Sequence, residues 1–226
     1  MVPYQSDHSF REKAFHWLRQ FYTDMLPDVE VCIGETKNDE LFNKAKAVNQ
    51  AFRQSSGKYL VIADADVIFD PKIIDEAIAY LGEYAWVFPF KNVVELTKQE
   101  TNNLISHPPS WPLEIQNPAS VVDFTLSLAG RLIILTRAAF ETVGGFDETF
   151  KGWGCEDDAF GLSLETLCGQ KKKINSTIYH LYHEHIGENN PNFSRNLAYY
   201  YRYCHARGNR KMIEDLIRRR KMRQNL

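Results

Sequence analysis

The sequence lacks the features that would place it in several simple classes. No run of about 18 apolar residues is present to span a bilayer, and no basic segment followed by an apolar one opens the chain. Its four cysteines lack C-x-x-C spacing, so neither a zinc knuckle nor a redox pair is indicated, and a reducing compartment is the simpler inference. The net charge of -2 does not indicate a nucleic-acid partner, for which an excess of basic residues would be expected. These absences favour a cytoplasmic protein.

The chain also lacks internal repeats and low-complexity tracts, and its 226 residues suit one domain of ordinary size. Strand-like and helix-like periodicities alternate, and a strand-helix-strand order implies right-handed parallel crossovers. We therefore predict an α/β fold with a mixed, mostly parallel sheet flanked by helices. The predicted strands are 2–4, 29–33, 59–66, 85–90, 130–136 and 176–182, and the predicted helices are 10–25, 40–54, 71–81, 137–143, 156–167 and 193–223.

Two segments have no clear periodicity. Residues 91–118 contain a proline-rich stretch that cannot continue a helix or a central strand, which predicts a long surface loop serving as a lid or binding loop. A disordered insertion is the alternative. Residues 171–173 are predicted to form a solvated turn.

The stretch 59–66 is the centre of the functional interpretation. An apolar run typical of a buried strand delivers Asp64 and Asp66 at its carboxyl end, where open α/β sheets bind ligands. Strand alternation would send both carboxylates the same way, towards a divalent cation and the phosphates that it neutralises. The alternative is that they only cap the turn before the next helix.

Two further polar clusters follow strand ends. His180, His183 and His185 close the last predicted strand, and combined with a carboxylate pair they form a mixed oxygen and nitrogen site that suits Mn²⁺ better than Mg²⁺. Zinc and other transition metals are not excluded, and a polar strand end without ligands is the alternative. The acids Glu156, Asp157 and Asp158 begin a helix, where the macrodipole stabilises negative charge, but three exceed what capping needs.

Trp153 lies between two glycines directly before these acids. Aromatic faces bind the apolar faces of sugar rings, carboxylates accept hydrogen bonds from sugar hydroxyls, and one carboxylate can take a proton from an attacking hydroxyl. A core tryptophan is the alternative, although flanking glycines favour an exposed turn.

These motifs together resemble those of GT-A-fold glycosyltransferases, in particular the β-1,4-galactosyltransferase family and family-2-type bacterial or phage enzymes. The resemblance covers most of the chain, and the order and spacing of the motifs are more specific than any one of them. The motifs are Val2-Pro3-Tyr4, the segment 41–49, Asp64-Ala65-Asp66, Gly144-Gly145-Phe146, the segment 152–158, the spacing of His180 and His183, and Asn190-Pro191.

The resemblance implies a metal-dependent inverting transferase that moves a hexose or N-acetylhexosamine from a UDP-sugar to a hydroxyl acceptor, using Mn²⁺ or Mg²⁺. It implies Asp157 as general base and Asp66, His183 and His180 as metal ligands. The implied donor-binding residues are Pro3, Tyr4, Phe42, Lys44, Asp64 and Gly130, and the implied acceptor-binding residues are Trp153, Glu156, Asp157 and Asp158.

Three departures from the galactosyltransferase pattern bear on this transfer. Residues 5–7 stand where that family has an arginine-bearing loop, Cys155 stands in place of a glycine, and no membrane anchor precedes the domain. A bacterial or phage enzyme is the better match. Within the same fold, a sugar-nucleotide pyrophosphorylase is a rival, but its glycine-rich basic loop is missing after the first strand. A non-catalytic sugar-binding protein is a rival of a different class.

The C-terminal segment leaves the acceptor open. We predict a glycosyltransferase domain at 1–208, with a nucleotide-sugar half at 1–90 and an acceptor and metal half at 119–190, followed by a basic helical tail at 209–226. Nine Lys or Arg residues against two acids lie between Arg202 and Arg223. They would suit an anionic membrane surface or a nucleic acid, as an enzyme that glycosylates modified DNA bases would need, or else a solvated tail or a subunit contact.

Overall fold

The structure, a computed structural model, describes residues 1–6, 10–36, 41–184 and 187–224. In the sequence, Ser9 precedes the helix predicted at 10–25 and is a candidate cap for it, because Glu12 follows three residues later. Ser9, the predicted helix start at Glu40 and the third histidine, His185, lie outside the described residues. Within these ranges no helix is both long and apolar enough to cross a membrane.

Strands and helices alternate through most of the described chain. The strands are β1 Val2–Tyr4, β2 Ile33–Glu35, β3 Tyr59–Ala63, β4 Val67–Phe69, β5 Trp86–Phe88, β6 Asn92–Glu95, β7 Ser120–Asp123, β8 Leu132–Thr136, β9 Lys172–Lys173 and β10 Thr177–His180. The helices are α1 Phe10–Met25, α2 Lys44–Gln54, α3 Lys72–Tyr80, α4 Lys98–Ile105, α5 Arg137–Thr142, α6 Glu156–Cys168, α7 Phe193–Ala206 and α8 Arg210–Gln224, with a 3₁₀ turn at Gly187–Asn189.

The strands form a main sheet and a smaller one. In the main sheet the order is β3-β8-β5-β9, and β1 with its parallel partner β2 extends it, because Met1 exchanges backbone hydrogen bonds with Val61 and Ala63 of β3. The smaller sheet has the order β4-β10-β6-β7. The predicted mixed α/β architecture is therefore confirmed.

Parallel pairs do not predominate among the described strands, contrary to the prediction. The pairs β1–β2, β5–β9 and β6–β10 are parallel, whereas β3–β8, β5–β8, β4–β10 and β6–β7 are antiparallel. The reason is that β8 is reached through the long excursion after β5 rather than through a single helical crossover, so it runs against both of its neighbours.

The main sheet is covered by helices on both faces. Along β8, Leu132 and Ile134 belong to one apolar core with α1 and α3, whereas Ile133 and Leu135 belong to a second core with α2 and α5 to α8. This alternation is the two-residue side-chain period of a strand. All four side chains are almost completely buried, and each contributes roughly 1.5–3 kcal/mol by leaving water.

Several predicted elements differ from the observed ones. The strand predicted at 29–33 is shifted, since β2 covers Ile33–Glu35, and α2 starts at Lys44 because the Asn43 side chain accepts a hydrogen bond from the Lys46 N–H and caps the helix there. Residues 171–173, predicted as a turn, include β9, whose backbone pairs with β5.

Part of the segment 91–118 is regular, so the prediction of one long loop was wrong there. Strand β6 pairs with β10 and β7, and its Val93 is fully buried. Helix α4 is capped by Thr97, whose side-chain oxygen accepts the N–H of Glu100 at 3.0 Å. The spacing Thr97-x-x-Glu100 is a capping pattern that was visible in the sequence. Residues 106–119 have no regular structure.

The helix predicted from 193 to 223 is two helices. The chain turns at residues 207–209, where Gly208 has φ +73°, a conformation that glycine adopts at little cost. Helix α8 then packs on the body of the protein with Ile213, Ile217 and Arg220 buried. Arg220 donates hydrogen bonds to the carbonyl oxygens of Val143 and, at 2.8 Å, Gly145.

Because Arg220 satisfies two buried carbonyl groups, its replacement should destabilise the whole protein. We expect Arg220→Ala to lower the free energy of unfolding by roughly 2–4 kcal/mol. The neighbouring Arg219 is exposed, and Arg219→Ala should change that free energy by no more than about 0.5 kcal/mol. Urea denaturation followed by circular dichroism measures both. Equal effects of the two substitutions would mean that α8 is not an integral part of the fold.

Candidate functional site

The turn between β3 and β4 carries Asp64 and Asp66 and is fixed from two sides. The Asp64 N–H donates to the Arg131 carbonyl at 2.9 Å, and the Leu181 N–H donates to the Asp66 carbonyl at 2.8 Å. Both aspartates therefore lie beyond the end of β3 rather than within it, and their carboxylates contact different groups instead of sharing one partner.

Asp66 lies at the centre of the first group. The antiparallel register of β10 on β4 sets His180 opposite Val67, which brings the last residues of β10 alongside Asp66. The His180 Nε2 atom is 3.3 Å from Asp66 Oδ1, and the His183 Nε2 atom is 3.4 Å from Asp66 Oδ2. One ligand atom from each of the three residues lies within 4.8 Å of the others, which is close enough for a single metal ion.

The ring orientations of the two histidines suit metal binding. His180 Nδ1–H donates to Glu95 Oε2 at 2.6 Å, and His183 Nδ1–H donates to the Glu184 carbonyl at 2.9 Å. Because these acceptors engage Nδ1, the Nε2 atom of each ring is turned towards Asp66, where a bound metal would take the place of any proton on Nε2. Two imidazole nitrogens and a carboxylate oxygen form a donor set typical of Mn²⁺ and other transition metals.

One arginine contacts Asp66, and a second contacts Glu95, the carboxylate that orients His180. Arg11 Nη2 lies 3.2 Å from Asp66 Oδ2, and Arg131 Nη2 lies 2.7 Å from Glu95 Oε1. Burial alone would raise the pKa of Asp66, but His180, Arg11 and His183 outweigh it and hold that pKa well below its ordinary value. Burial would lower the pKa of His180, but Asp66 and Glu95 outweigh it and raise the pKa to about 9.

Lys44 joins Asp64 to Asp157 in the second group. Its Nζ atom is 2.6 Å from Asp64 Oδ1 and 2.7 Å from Asp157 Oδ2, and its side chain is only 9% exposed. Burial lowers the pKa of Lys44, but the carboxylates of Asp157 and Asp64 outweigh burial and keep the pKa above its ordinary value. A fixed cation therefore links the end of β3 to the first turn of α6.

The three acids that begin α6 have different surroundings. Glu156 is buried and accepts the Gly154 N–H at 3.1 Å, and burial together with Asp157 raises the pKa of Glu156 to about 7. Burial and Asp157 also raise the pKa of Asp158 to about 6. Of the three, Asp157 is the carboxylate in contact with Lys44. Gly130 lies against it, since a Cβ atom there would be 3.3 Å from Asp157 Oδ2.

The loop before α6 holds Trp153 at the surface. The Trp153 side chain is 43% exposed and stacks on Phe193 with ring centroids 5.6 Å apart. Its carbonyl accepts the side-chain amide of Asn190 at 2.7 Å. Gly152 is required beneath it, because a Cβ atom there would be 2.4 Å from Asn190 Oδ1 and because its φ is +68°. The predicted exposed turn is confirmed.

Two family models match consecutive parts of the chain. The model described as "Glycosyl transferase family 2" matches residues 21–117, and the model described as "N-terminal domain of galactosyltransferase" matches residues 121–185. The first range contains Asp64 and Asp66, and the second contains Asp157 and His183. The matches therefore include both halves of the site described above.

Among known proteins, the O-antigen biosynthesis protein RfbC of Myxococcus xanthus is 30% identical in an alignment 173 residues long, which covers 70% of this chain and 13% of that protein. The structure of GalNAc-T7 with UDP, GalNAc and Mn²⁺ superposes with a TM-score of 0.52 at 15% identity, over 90% of this chain and 41% of that one. The catalytic domain of Drosophila β1,4-galactosyltransferase 7 with xylobiose gives a TM-score of 0.48 at 17% identity, over 80% and 69%.

The chain has the GT-A fold and matches glycosyltransferase family models on both sides of the site. In this GT-A domain, the predicted site residues fall into three neighbouring groups. Asp66, His180 and His183 form the first, Lys44, Asp64, Asp157 and Gly130 form the second, and Trp153 and Glu156 belong to the loop and first turn beside Asp157.

The other predicted donor-binding residues lie outside these three groups. Pro3 and Tyr4 are buried in β1, and the Tyr4 ring stacks on Phe15 at 3.7 Å, so the β1 side chains form part of the core of the GT-A domain. Phe42 lies nearer to the site, since its ring is 5.7 Å from the guanidinium carbon of Arg11. Its carbonyl accepts the Gly152 N–H at 2.9 Å. Donor contacts by these residues stay a prediction.

Sequence reasoning missed three residues of the site: Arg11, Glu95 and Arg131. Glu95 ends β6, and a polar residue at a strand end was a usable signal. Arg131 has φ +58°, which is unfavourable for a side chain larger than glycine and occurs here next to the turn that carries Asp64. For Arg11 the sequence offered no signal, because only the fold brings the start of α1 to Asp66.

Proposed function

We propose that this protein is a metal-dependent inverting glycosyltransferase that moves a hexose or N-acetylhexosamine from a UDP-sugar to a hydroxyl acceptor. One observation carries the proposal: a carboxylate with two imidazoles adjoins a second carboxylate that Lys44 links to Asp157. A metal site and a candidate base thus lie on either side of a short turn. The GT-A relative GalNAc-T7, whose structure was determined with UDP, GalNAc and Mn²⁺, supports the same donor chemistry.

Asp66, His180 and His183 would hold the metal, with Mn²⁺ favoured over Mg²⁺ because two of the three donors are nitrogen. When bound, the metal neutralises the leaving diphosphate. Glu95 and Arg131 support this site indirectly, because the carboxylate that orients His180 is itself held by a guanidinium. Asp66 lies in the predicted half 1–90, whereas His180 and His183 lie in the predicted half 119–190. The two halves would still bind the donor and the acceptor, respectively, but the metal would bind residues of both.

Lys44 and Asp64 would bind the nucleotide-sugar, together with Phe42, Pro3, Tyr4 and Gly130. Lys44 is the strongest of these candidates because it is a buried cation between the two aspartates. Gly130 leaves the space beside Asp157 open, where a side chain would meet the carboxylate. The sugar would therefore lie between the turn that carries Asp64 and the start of α6.

Asp157 would act as the general base and deprotonate the acceptor hydroxyl as the sugar passes through an oxocarbenium-like transition state. The Asp157 Oδ2 atom accepts a hydrogen bond from Lys44 Nζ at 2.7 Å, which fixes the carboxylate at the start of α6. The raised pKa values of Glu156 and Asp158 suit these acids to hydrogen bonds with acceptor hydroxyls instead. The exposed ring of Trp153 would stack on the acceptor.

Replacing the base should affect turnover far more than donor binding. We expect Asp157→Asn to reduce turnover of the preferred UDP-sugar by about 10²–10⁴-fold and to change donor affinity only slightly, because the base acts in the transition state. Lys44 keeps its contact with Asp64 in this variant. Product formation across a panel of UDP-sugars with Mn²⁺, combined with calorimetric titration of UDP, measures both quantities.

Asp75→Asn is the control, since Asp75 is exposed on α3, and it should behave as the wild type. Near-normal turnover in Asp157→Asn would remove Asp157 from the mechanism. Formation of a nucleotide-sugar from a sugar phosphate would indicate the pyrophosphorylase, and donor binding without turnover would indicate the non-catalytic sugar-binding protein.

A secondary proposal concerns α8. We propose that its exposed face contacts an anionic membrane surface that presents the acceptor, because Lys211, Arg218, Arg219 and Lys221 lie on the surface together with Met222, which is 64% exposed. Exposed apolar and basic groups side by side suit a lipid headgroup region better than the phosphates of a nucleic acid. Glycosylation of modified DNA bases is the alternative.

The double substitution Lys211→Glu and Arg219→Glu tests this contact without removing α8 from the core. Each basic residue near an anionic bilayer contributes about 1 kcal/mol, so the variant should lose sedimentation with phosphatidylserine vesicles at low salt. Failure of the wild-type protein to sediment with the vesicles would contradict the proposal. Wild-type binding to duplex DNA that the variant loses would support the nucleic-acid alternative.

A further inference from the structure

We propose that Arg11 makes metal binding depend on the donor diphosphate, because its guanidinium occupies a metal-facing oxygen of Asp66 until a diphosphate attracts it away. This inference rests on the proposed function. It assigns to Arg11 the coupling of two ligands that would otherwise bind independently.

The geometry places Arg11 in competition with the metal. Arg11 Nη2 is 3.2 Å from Asp66 Oδ2, and His183 Nε2 is 3.4 Å from the same oxygen. A metal ion held by the Asp66, His180 and His183 group would use this side of the carboxylate. The guanidinium and the metal would then be two cations beside one oxygen, and their repulsion opposes binding of the metal alone.

The formal charges of the groups around Asp66 also favour coupled binding of metal and diphosphate. Asp66 and Glu95 bring two negative charges, and their direct partners Arg11 and Arg131 bring two positive ones. The formal charges of these four groups already cancel. A divalent cation adds two positive charges to a partly buried site, and a diphosphate supplies the compensating negative charge. Metal and diphosphate should therefore each strengthen the binding of the other.

Arg11 has the freedom and the direction to follow the diphosphate. Its side chain is 24% exposed whereas that of Asp66 is 5% exposed, so Arg11 lies nearer to solvent than the carboxylate that it contacts. Its charged group also lies 5.7 Å from the ring of Phe42, on the side assigned to the nucleotide. A planar guanidinium donates two parallel hydrogen bonds to phosphate oxygens, which an incoming diphosphate would offer.

Loss of the Arg11 guanidinium should increase the affinity of the site for Mn²⁺ in the absence of nucleotide. We expect Arg11→Gln to bind Mn²⁺ about fivefold or more tightly than wild type without nucleotide, and to bind UDP more weakly in the presence of Mn²⁺. The factor by which UDP strengthens Mn²⁺ binding should fall correspondingly. Arg11→Met, which keeps the apolar stem, should behave like Arg11→Gln.

Isothermal titration of Mn²⁺, with and without UDP, measures these affinities on folded protein. Arg11→Lys keeps the charge and should bind Mn²⁺ without nucleotide within about twofold of wild type, but it loses the two parallel hydrogen bonds and should bind UDP more weakly. Arg19→Gln on the exposed face of α1 should stay within about twofold of wild type in both titrations. Equal or weaker binding of Mn²⁺ alone by the Gln and Met variants would overturn the inference, since a purely supporting role of Arg11 predicts that result. In that case Mn²⁺-dependent UDP binding by the wild type would leave the proposed function intact, whereas its absence would overturn both.

Discussion

The site depends on the antiparallel register between β4 and β10. This register sets His180 opposite Val67 and lets the Leu181 N–H bond to the Asp66 carbonyl, so two strands distant in sequence meet at one carboxylate. A slip by one residue would turn the His180 side chain to the opposite face of the sheet. The burial of Ile178 and Val67 on the same pair of strands makes such a slip costly, and the packing of the core thus fixes the position of the metal ligands.

Charge balance is the second constraint on the structure. Asp66 is almost completely buried, and such a carboxylate is stable only with partners that offset its desolvation. Arg11, His180 and His183 supply those partners, and Arg131 does the same for Glu95. In the second group, Lys44 offsets Asp64 and Asp157 together. The same contacts that stabilise these acids in the fold also fix the positions of their carboxylates at the site.

The sequence allowed good prediction where signals were local. Helix α1, the start of α6 and the strand before Asp64 follow from side-chain periodicity, capping and carboxylate clustering, and the motif order identified the GT-A glycosyltransferases. Strand β6 was missed because it is four residues long and lies within a segment with many polar residues. The integration of α8 into the core was missed because its basic residues dominate the sequence pattern, whereas burial of Arg220 depends on carbonyl groups from α5 and the turn that follows.

Partners that the fold brings together were harder to predict than the site residues themselves. The sequence indicated that Asp66, His180 and His183 would converge, but not that Glu95 and Arg131 would orient them or that Arg11 would share Asp66. It also predicted that Asp64 and Asp66 would face one ligand, whereas the turn after β3 directs one carboxylate to Lys44 and the other to the histidines. The central question is whether the carboxylates of Asp64 and Asp66 contact the same metal-nucleotide complex when it is bound.

Pulsed electron paramagnetic resonance of Mn²⁺ bound with UDP addresses that question most directly. We predict couplings from imidazole ¹⁴N and from ³¹P in the same Mn²⁺ spectrum, and we expect Asp66→Ala to abolish the signal of bound Mn²⁺. Mn²⁺ that binds without nitrogen coupling, or whose signal is the same in Asp66→Ala, would contradict the assignment of Asp66, His180 and His183 as the metal site.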